Sequence, residues 1–415
     1  MTAPIRYPWT RGEPPAFPIA KGSRVTYRLT AEHDELRAVV RELADERIAP
    51  RAAEIDQTAE FPWDLKELLA KQDLLGISFE TRFGGTELDN IGQAIVVEEI
   101  ARADATTSLI PIVQKLGSLP ISLAGSEEQK ARYFPRLASG EWLAAFGLTE
   151  AGAGSDVAAL RMRARRDGDQ YRLSGSKRFI THGSIANLVT VFALTDPEAG
   201  GRKGMSAFIV ETDTPGFSAP RLEHKMGIRG SPTAELNFDE VAVPVANRLG
   251  DEGDGFRIAL DTLDRSRLSI AAQAVGIARG ALDFAVVYAA QREQFGERVA
   301  DMEGVQFLLA DMASQTEAAR QLTYAAAAAV DAEAADLSYW TSCAKLIAGD
   351  VAMRVTTDAV QVLGGYGYIS EYPVERMMRD AKITQLYEGT QQIQRLVVAR
   401  QLLQRAGVAH RAKRQ

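Results

Sequence analysis

Residues 387–395 read YEGTQQIQR and set one carboxylate, Glu388, in a short break between two helical patterns. Upstream, Val374, Met377, Met378 and Ala381 recur at three- and four-residue intervals. Downstream, Ile393, Leu396, Val397 and Leu403 do so again. Gly389 reads as the stop signal of the first helix and Thr390 as the N-cap of the second. A glutamate held there has a backbone N–H with no helical partner. If a substrate carbonyl lies beside it, one residue offers both a base for the α-proton and a donor for the developing enolate oxygen. Glutamates ahead of helices are more often solvated or paired with the helix dipole, so this stretch alone leaves both readings open.

Outward from it, the chain reads α, then β, then α. Positions 1–29 are rich in Pro and Gly and read as an extended tail. Helical spacing over Glu32–Ile48, Pro62–Leu75, Leu88–Ala103 and Ser126–Leu137 predicts an all-α domain at 30–144. From Trp142 the period changes: WLAAFGLT, YRLSG, KRFIT, LVTVFAL, MSAFIVE and AELNF read as short strands of a β-domain, barrel or sandwich, at 145–247. From Gly255 the pattern is helical again, predicting a four-helix-bundle domain at 248–405 and a short tail at 406–415. The fold class is α+β. Glu98 and Glu99 read as a solvated or paired helix surface.

Composition bounds the function. The 415 residues are 46% hydrophobic and 25% charged, enough for two or three domains with sizeable cores. A formal charge of -7 and a pI near 5.4 argue against a general nucleic-acid binder. The single cysteine, Cys343, reads as a buried or half-buried thiol, and four scattered histidines show no metal-ligand spacing, so no metal is expected. The N-terminus lacks a long apolar region and no segment runs apolar for the roughly 18 residues of a membrane span. The expectation is a cytoplasmic protein.

Two further stretches bear on chemistry. In AFGLTEAGAGSD, residues 145–156, a strand runs into a turn where Gly152 and Gly154 permit close backbone approach and Ser155 adds a hydroxyl. An anion or a flavin edge fits such a turn, although a plain tight turn is the commoner explanation. In TLDRSRLSIAAQAVG, residues 262–276, Asp264 and Arg267 share one helix face at i, i+3, a spacing that more often makes a surface ion pair than a ligand site.

Taken together, YEGTQQIQR, MRDAKI at 378–383, QVLGGYGY at 361–368, QREQFG at 291–296 and GAGSD stand in the order found in acyl-CoA dehydrogenases, and the chain resembles that family over about residues 30–405. The resemblance implies an acyl-CoA dehydrogenase fold with FAD as cofactor. Glu388 would be the base that takes the α-proton of an acyl-CoA thioester while FAD accepts a hydride from the β-carbon. The thioester oxygen would be held by the Glu388 N–H and a flavin ribityl hydroxyl. Some members carry the base on an earlier helix, at the position of Ser266, where serine cannot serve. Flavin contacts are implied for Phe146, Leu148, Thr149, Gly154 and Ser155, for Phe179, Ile180 and Thr181, and for Thr390 and Gln392. Arg292, Phe295, Gln361, Gly364 and Gly365 would reach the FAD of a neighbouring subunit. Ser155, Asp264, Arg267, Tyr387 and Gly389 would meet the substrate, Asp264 and Arg267 lining its CoA groove.

Three positions depart from the family pattern. Ala151 replaces a proline, and Phe179 stands where many members have Trp, which removes an indole donor. Glu303 occupies a position where many have Gln. A carboxylate near pyrophosphate is repelled, so the segment shifts register, or Glu303 turns toward Arg298, or an extra cation compensates. The resemblance further implies a homotetramer, a dimer of dimers, passing electrons to an electron-transfer flavoprotein. The rivals are an acyl-CoA oxidase using O2 and a catalytically silent flavin-binding scaffold.

Overall fold

The computed structural model describes residues 26–406. The tails expected at 1–29 and 406–415 therefore lie outside the described residues, apart from 26–29 and Ala406. Residues 26–29 are already packed, with the Tyr27 ring edge-on to Tyr324 at 5.9 Å.

The first helical layer comprises α1 (Ala31–Leu43), α2 (Ala52–Thr58), α3 (Trp63–Lys71), α4 (Asn90–Ala103), α5 (Ala105–Ala124) and α6 (Glu127–Ala138). Thr30 and Ser126 start α1 and α6 with capping boxes that satisfy the exposed N–H groups. The sequence reading missed α5, because Pro111 and Pro120 argue against a helix interior. Tertiary burial overrides that propensity, since most of α5 is buried between the sheet and the third layer. Gln114 staples it to the sheet: its amide donates to Leu137 O and Trp142 O, and its oxygen accepts from Ala144 N at 3.0 Å.

The middle layer is β1 (Ala144–Gly147), β2 (Arg163–Asp167), β3 (Gln170–Thr181), β4 (Leu188–Leu194), β5 (Met205–Glu211), β6 (Phe217–Leu222), β7 (Thr233–Pro244) and β8 (Arg248–Leu249), with α7 (Gly200–Gly204) before β5. The order is β6-β7-β3-β2-β4-β5-β8, and β1 pairs with β4 in parallel. YRLSG and KRFIT are one strand, β3, bent by two bulges rather than two strands. The charged RARRD of β2 and the exposed β6 escaped the alternation test. Tyr171 of β3 meets Phe208 of β5 with ring centroids 4.9 Å apart, although β2 and β4 lie between them in the order. The sheet therefore curls over one apolar core.

The third layer holds α8 (Gly255–Gln291), a small hairpin β9 (Glu293–Gln294) and β10 (Glu297–Arg298), α9 (Glu303–Asp331), α10 (Leu337–Leu363), α11 (Val374–Ala381) and α12 (Gln391–Arg405). Contrary to the hydropathy reading, α8 is long and apolar enough to cross a bilayer, with mean hydropathy 1.5 over its best window, but 67% of that window is buried inside the protein. It is the central helix of the bundle. A Cβ at Gly276 would lie 2.3 Å from Glu98 O, and one at Gly280 2.3 Å from Arg102 O, so these glycines let α8 touch α4 backbone to backbone.

That approach encloses Glu98 and Glu99, which are fully buried rather than on a surface. Glu99 receives Arg41 and Arg279, each at 2.9 Å, and Glu98 receives Arg320 at 2.9 Å and the Tyr324 hydroxyl at 2.6 Å. Burial pushes the Glu99 carboxyl up, but the Arg41 hydrogen bond and the Arg279, Arg41 and Arg102 charges bring it below its ordinary value. The repeat of charges had no sequence signal separating it from a wet helix face.

Candidate active site

The turn between α11 and α12 is held in an unusual backbone conformation. Glu388 has φ +50 and Gly389 φ +94, left-handed geometry that costs an ordinary side chain energy and so must be imposed by its surroundings. Among the described residues the Glu388 N–H has no hydrogen-bond acceptor, while Thr390 caps α12 by accepting from Ile393 N at 3.3 Å. The turn's carbonyls are gripped from below. Gln394 donates to Glu388 O at 3.1 Å and Gly389 O at 3.0 Å, and the buried Lys345 ammonium donates to Gly389 O at 2.6 Å.

Arg267 supports this clamp. Its guanidinium donates to Gln394 Oε1 at 3.0 Å and Ser342 Oγ at 2.6 Å and pairs with Asp264 at 3.0 Å. It is 4% exposed, with its donors engaged beneath the turn. Half-exposed Asp264 remains partly open to solvent. Tyr387 donates its hydroxyl to Gln273, whose amide in turn reaches Ala105 O and Ser108 Oγ at the start of α5. Gln392 is exposed on α12, and its side chain has no hydrogen-bond partner among the described residues.

The Glu388 residue is half-buried, and its carboxylate lies deep enough that burial pushes its pKa above the usual carboxylate range. The Ser266 hydroxyl, donating to Oε2 at 2.6 Å, and the charges of Arg267, Lys345 and Lys115 oppose that rise. Burial also lowers Lys345 to about 7 and Lys115 to about 8. Upstream, α11 ties the turn to the other layers: Arg379 bridges Asp56 at 2.6 Å and Met226 O at 3.0 Å, and Asp380 accepts from Ile228 N. Burial lifts Asp380 to about 7.

A second group forms at the curled sheet. The bulge of β3 turns Phe179 outward, 60% exposed with φ +58, under the Arg178 guanidinium. Arg178 N donates to Thr149 O at 2.8 Å, which brings Thr149 beside Phe179, Ile180 and Thr181. The Thr149 and Thr181 side chains are half-buried and have no hydrogen-bond partner among the described residues. Leu148 and Ile180 are core side chains, leaving only their backbone for a ligand, and Phe146 packs on Phe192. The loop through Gly152, Gly154 and Ser155 stands in open space at both glycines. Sequence reasoning missed what supports it: the buried Lys177 pairs with Glu150 at 2.7 Å, and Glu150 also accepts from Arg161 N and Met162 N. A lysine at an inward position of an alternating strand was the available signal.

The third group is a cleft of about 500 Å³ lined by Arg292, Tyr288, Gly364, Gly365 and Tyr366, with Arg292 over the Tyr366 ring at 5.4 Å. Gln361 lies exposed on α10 before it, and Phe295, at the tip of the hairpin, is 96% exposed. Of the alternatives for Glu303, the turn toward Arg298 does not occur: Arg298 binds Asp301 at 2.8 Å. Glu303 is instead the first residue of α9, where a carboxylate complements the helix dipole.

An outward aromatic ring, two threonine hydroxyls without partners among the described residues and an arginine cleft suit a flat ring system carrying a pyrophosphate. Together with a clamped, raised-pKa carboxylate they are the groups that a flavoprotein oxidoreductase needs. The N-terminal, middle and C-terminal domain models of acyl-CoA dehydrogenase match residues 30–141, 145–241 and 253–403. The chain is 50% identical over 377 residues to a probable acyl-CoA dehydrogenase of Mycobacterium leprae (strain TN), covering 91% of this chain and 97% of that one. It superposes on butyryl-CoA dehydrogenase from Megasphaera elsdenii with a TM-score of 0.88 at 42% identity, covering 91% and 100% of the two chains. A chain in a structure described as the electron transferring flavoprotein of Acidaminococcus fermentans gives a TM-score of 0.89 at 44% identity, covering 91% and 99%. The protein belongs to the acyl-CoA dehydrogenase family, whose cofactor is FAD.

Proposed function

We propose that the protein desaturates an acyl-CoA thioester between its α- and β-carbons, giving the trans-2-enoyl-CoA, with Glu388 as the base. The observation that carries this reading is the left-handed turn in which a buried carboxylate with a raised pKa sits beside its own backbone N–H, which has no acceptor among the described residues. The N–H is free to stabilise charge that develops on the thioester oxygen as the α-proton leaves, and the Gln394 and Lys345 clamp holds that donor in place. Bound FAD supplies the acceptor for the β-hydride. In this reading Thr149, Thr181 and the Phe179 face hold the flavin ring. Ser155 and the open loop around it run along the thioester arm.

The Glu388→Gln variant keeps side-chain size and the backbone N–H while removing the proton acceptor. It should purify yellow and still bind acyl-CoA. Its flavin should be reduced at least 10²- to 10⁴-fold more slowly in anaerobic stopped flow. Reduction within tenfold of wild type would remove Glu388 as the base.

Electrons then pass to an electron-transfer flavoprotein, as in the family the chain resembles, and the site of action is the cytoplasm. Rapid reoxidation of the reduced flavin in air would identify an oxidase instead. The cleft at Arg292 supports FAD sites completed between subunits, since Phe295, Tyr368, Phe307 and Val287 leave large apolar side chains exposed around the C-terminal helices. The proposed assembly is a homotetramer built as a dimer of dimers. Sedimentation of a monomer that keeps stoichiometric FAD at micromolar concentration would overturn it.

A further inference from the structure

Hydroxyls on the bundle helices turn back onto their own backbones. Thr262 donates to Ile258 O, Thr316 to Met312 O, Thr323 to Ala319 O and Thr356 to Ala352 O, all at 2.7–2.8 Å. Ser266, 2% exposed on α8, departs from this habit and sends its hydroxyl across to Glu388 Oε2 at 2.6 Å. The other carboxylate oxygen, Oε1, has no hydrogen-bond partner among the described residues. One oxygen is tethered and the other is left open.

We infer that Ser266 is a positioning residue for Glu388: its hydroxyl tethers Oε2, aims Oε1 at the substrate's α-hydrogen, and favours the carboxylate form that accepts the proton. This rests on the reading of Glu388 as the base. In the step it serves, the α-carbon–hydrogen bond breaks, the proton goes to Oε1, and the bonding pair stays on the substrate, delocalised into the thioester carbonyl. Ser266 keeps its own proton throughout.

The contact is a charge-assisted hydrogen bond to an ionised acceptor, short for its type and therefore strong. Other charged or titratable groups face Glu388 from each element around it: Arg267 with Asp264 on α8, Lys345 with Asp350 on α10, Lys115 on α5, and Tyr387 in its own turn. The cations act through space. Among the described residues, the side-chain donor to the Glu388 carboxylate is Ser266. Arg267 and Lys345 spend their hydrogen bonds on Gln394, Ser342 and the Gly389 carbonyl.

The test uses FAD-loaded Ser266→Ala and Ser266→Thr proteins, read by the pH dependence of anaerobic flavin reduction. An independent readout is the infrared carboxyl stretch of Glu388, assigned by its disappearance in Glu388→Gln. Losing a hydrogen bond to a charged group predicts flavin reduction about 10- to 100-fold slower in the Ala variant at neutral pH. The deficit should shrink as pH rises, the protonated-carboxyl band should persist to higher pH, and Thr should restore both. An Ala variant that retains FAD and shows an unchanged pH profile and band overturns the inference. So does one slowed equally at every pH, which marks a purely structural role. An active Glu388→Gln sinks the base assignment itself, whereas an inactive Glu388→Gln with an unaltered Ser266→Ala sinks the Ser266 role alone.

Discussion

Replacing Gly389 by Ala probes how much of the site is stored in one backbone turn. The position has φ +94, and a Cβ there would lie 2.6 Å from Gln394 Nε2. The left-handed conformation costs an L side chain about 1–2 kcal/mol. Driving the Gln394 amide away forfeits its bonds to Glu388 O and Gly389 O, at about 1 kcal/mol each or less once water replaces them. The total is about 2–4 kcal/mol. At an unfolding entropy of about 2.1 cal/mol/K per residue, a chain this long loses about 1 °C of Tm per kcal/mol, so the melting temperature should fall by about 2–5 °C. The same displacement moves the Glu388 N–H and carboxylate by a fraction of an ångström to an ångström, which predicts flavin reduction slowed by about 10²-fold. Scanning fluorimetry and anaerobic stopped flow on the FAD-loaded variant read the two effects. A melting point within 1 °C of wild type together with reduction within twofold would show that the turn is not held by the Gln394 clamp, and the reasoning would be wrong.

Removing one member of the buried charge cluster, by Glu99→Gln, leaves Arg41 and Arg279 short of a counter-charge between α1, α4 and α8. It should cost about 3–5 kcal/mol in chemical denaturation, whereas a loss under 1 kcal/mol would mean the arginines reach water. Asp380 provides a pH signature. Its folded pKa, about 7, lies above the unfolded value, so the fold holds this proton more tightly and gains stability from it at low pH. That stability is lost as pH rises from about 4 to 7, by about 1.4 kcal/mol per pH unit, and is flat above 7. Relative to Asp380→Asn, wild-type denaturation midpoints should therefore fall between pH 5 and 7 and run parallel from 7 to 8.5. Parallel curves throughout would show that Asp380 is ionised in the fold at pH 5.

The sequence carried the α-β-α order and the turns that frame the candidate site because these rest on local signals: a change of hydrophobic period at Trp142, a Gly-Thr break after Glu388 and a glycine-rich turn after β1. What it could not carry is burial decided by distant partners. α5 hides behind two prolines that only its neighbours make tolerable, and Glu98–Glu99 is indistinguishable from a wet helix face until α8 closes over it. Arg267 likewise has the spacing of a ligand or surface pair, yet serves the turn from underneath through Gln394. Ser266 was set aside because serine is no base, and its actual contact requires knowing which way one hydroxyl points.

One apolar core gathers residues of α4 and α5 together with α8, α9, α10 and α11, and the sheet is inserted between these two halves in the chain. During synthesis, α4 and α5 thus emerge with apolar faces whose covering helix, α8, begins only at Gly255, more than a hundred residues later. The nascent N-terminal segment is a partial fold waiting for its other half, prone to association until the chain is nearly complete. The two helical layers then have little means of melting separately, and a fragment ending after the sheet should be insoluble or captured by chaperones rather than an independent module.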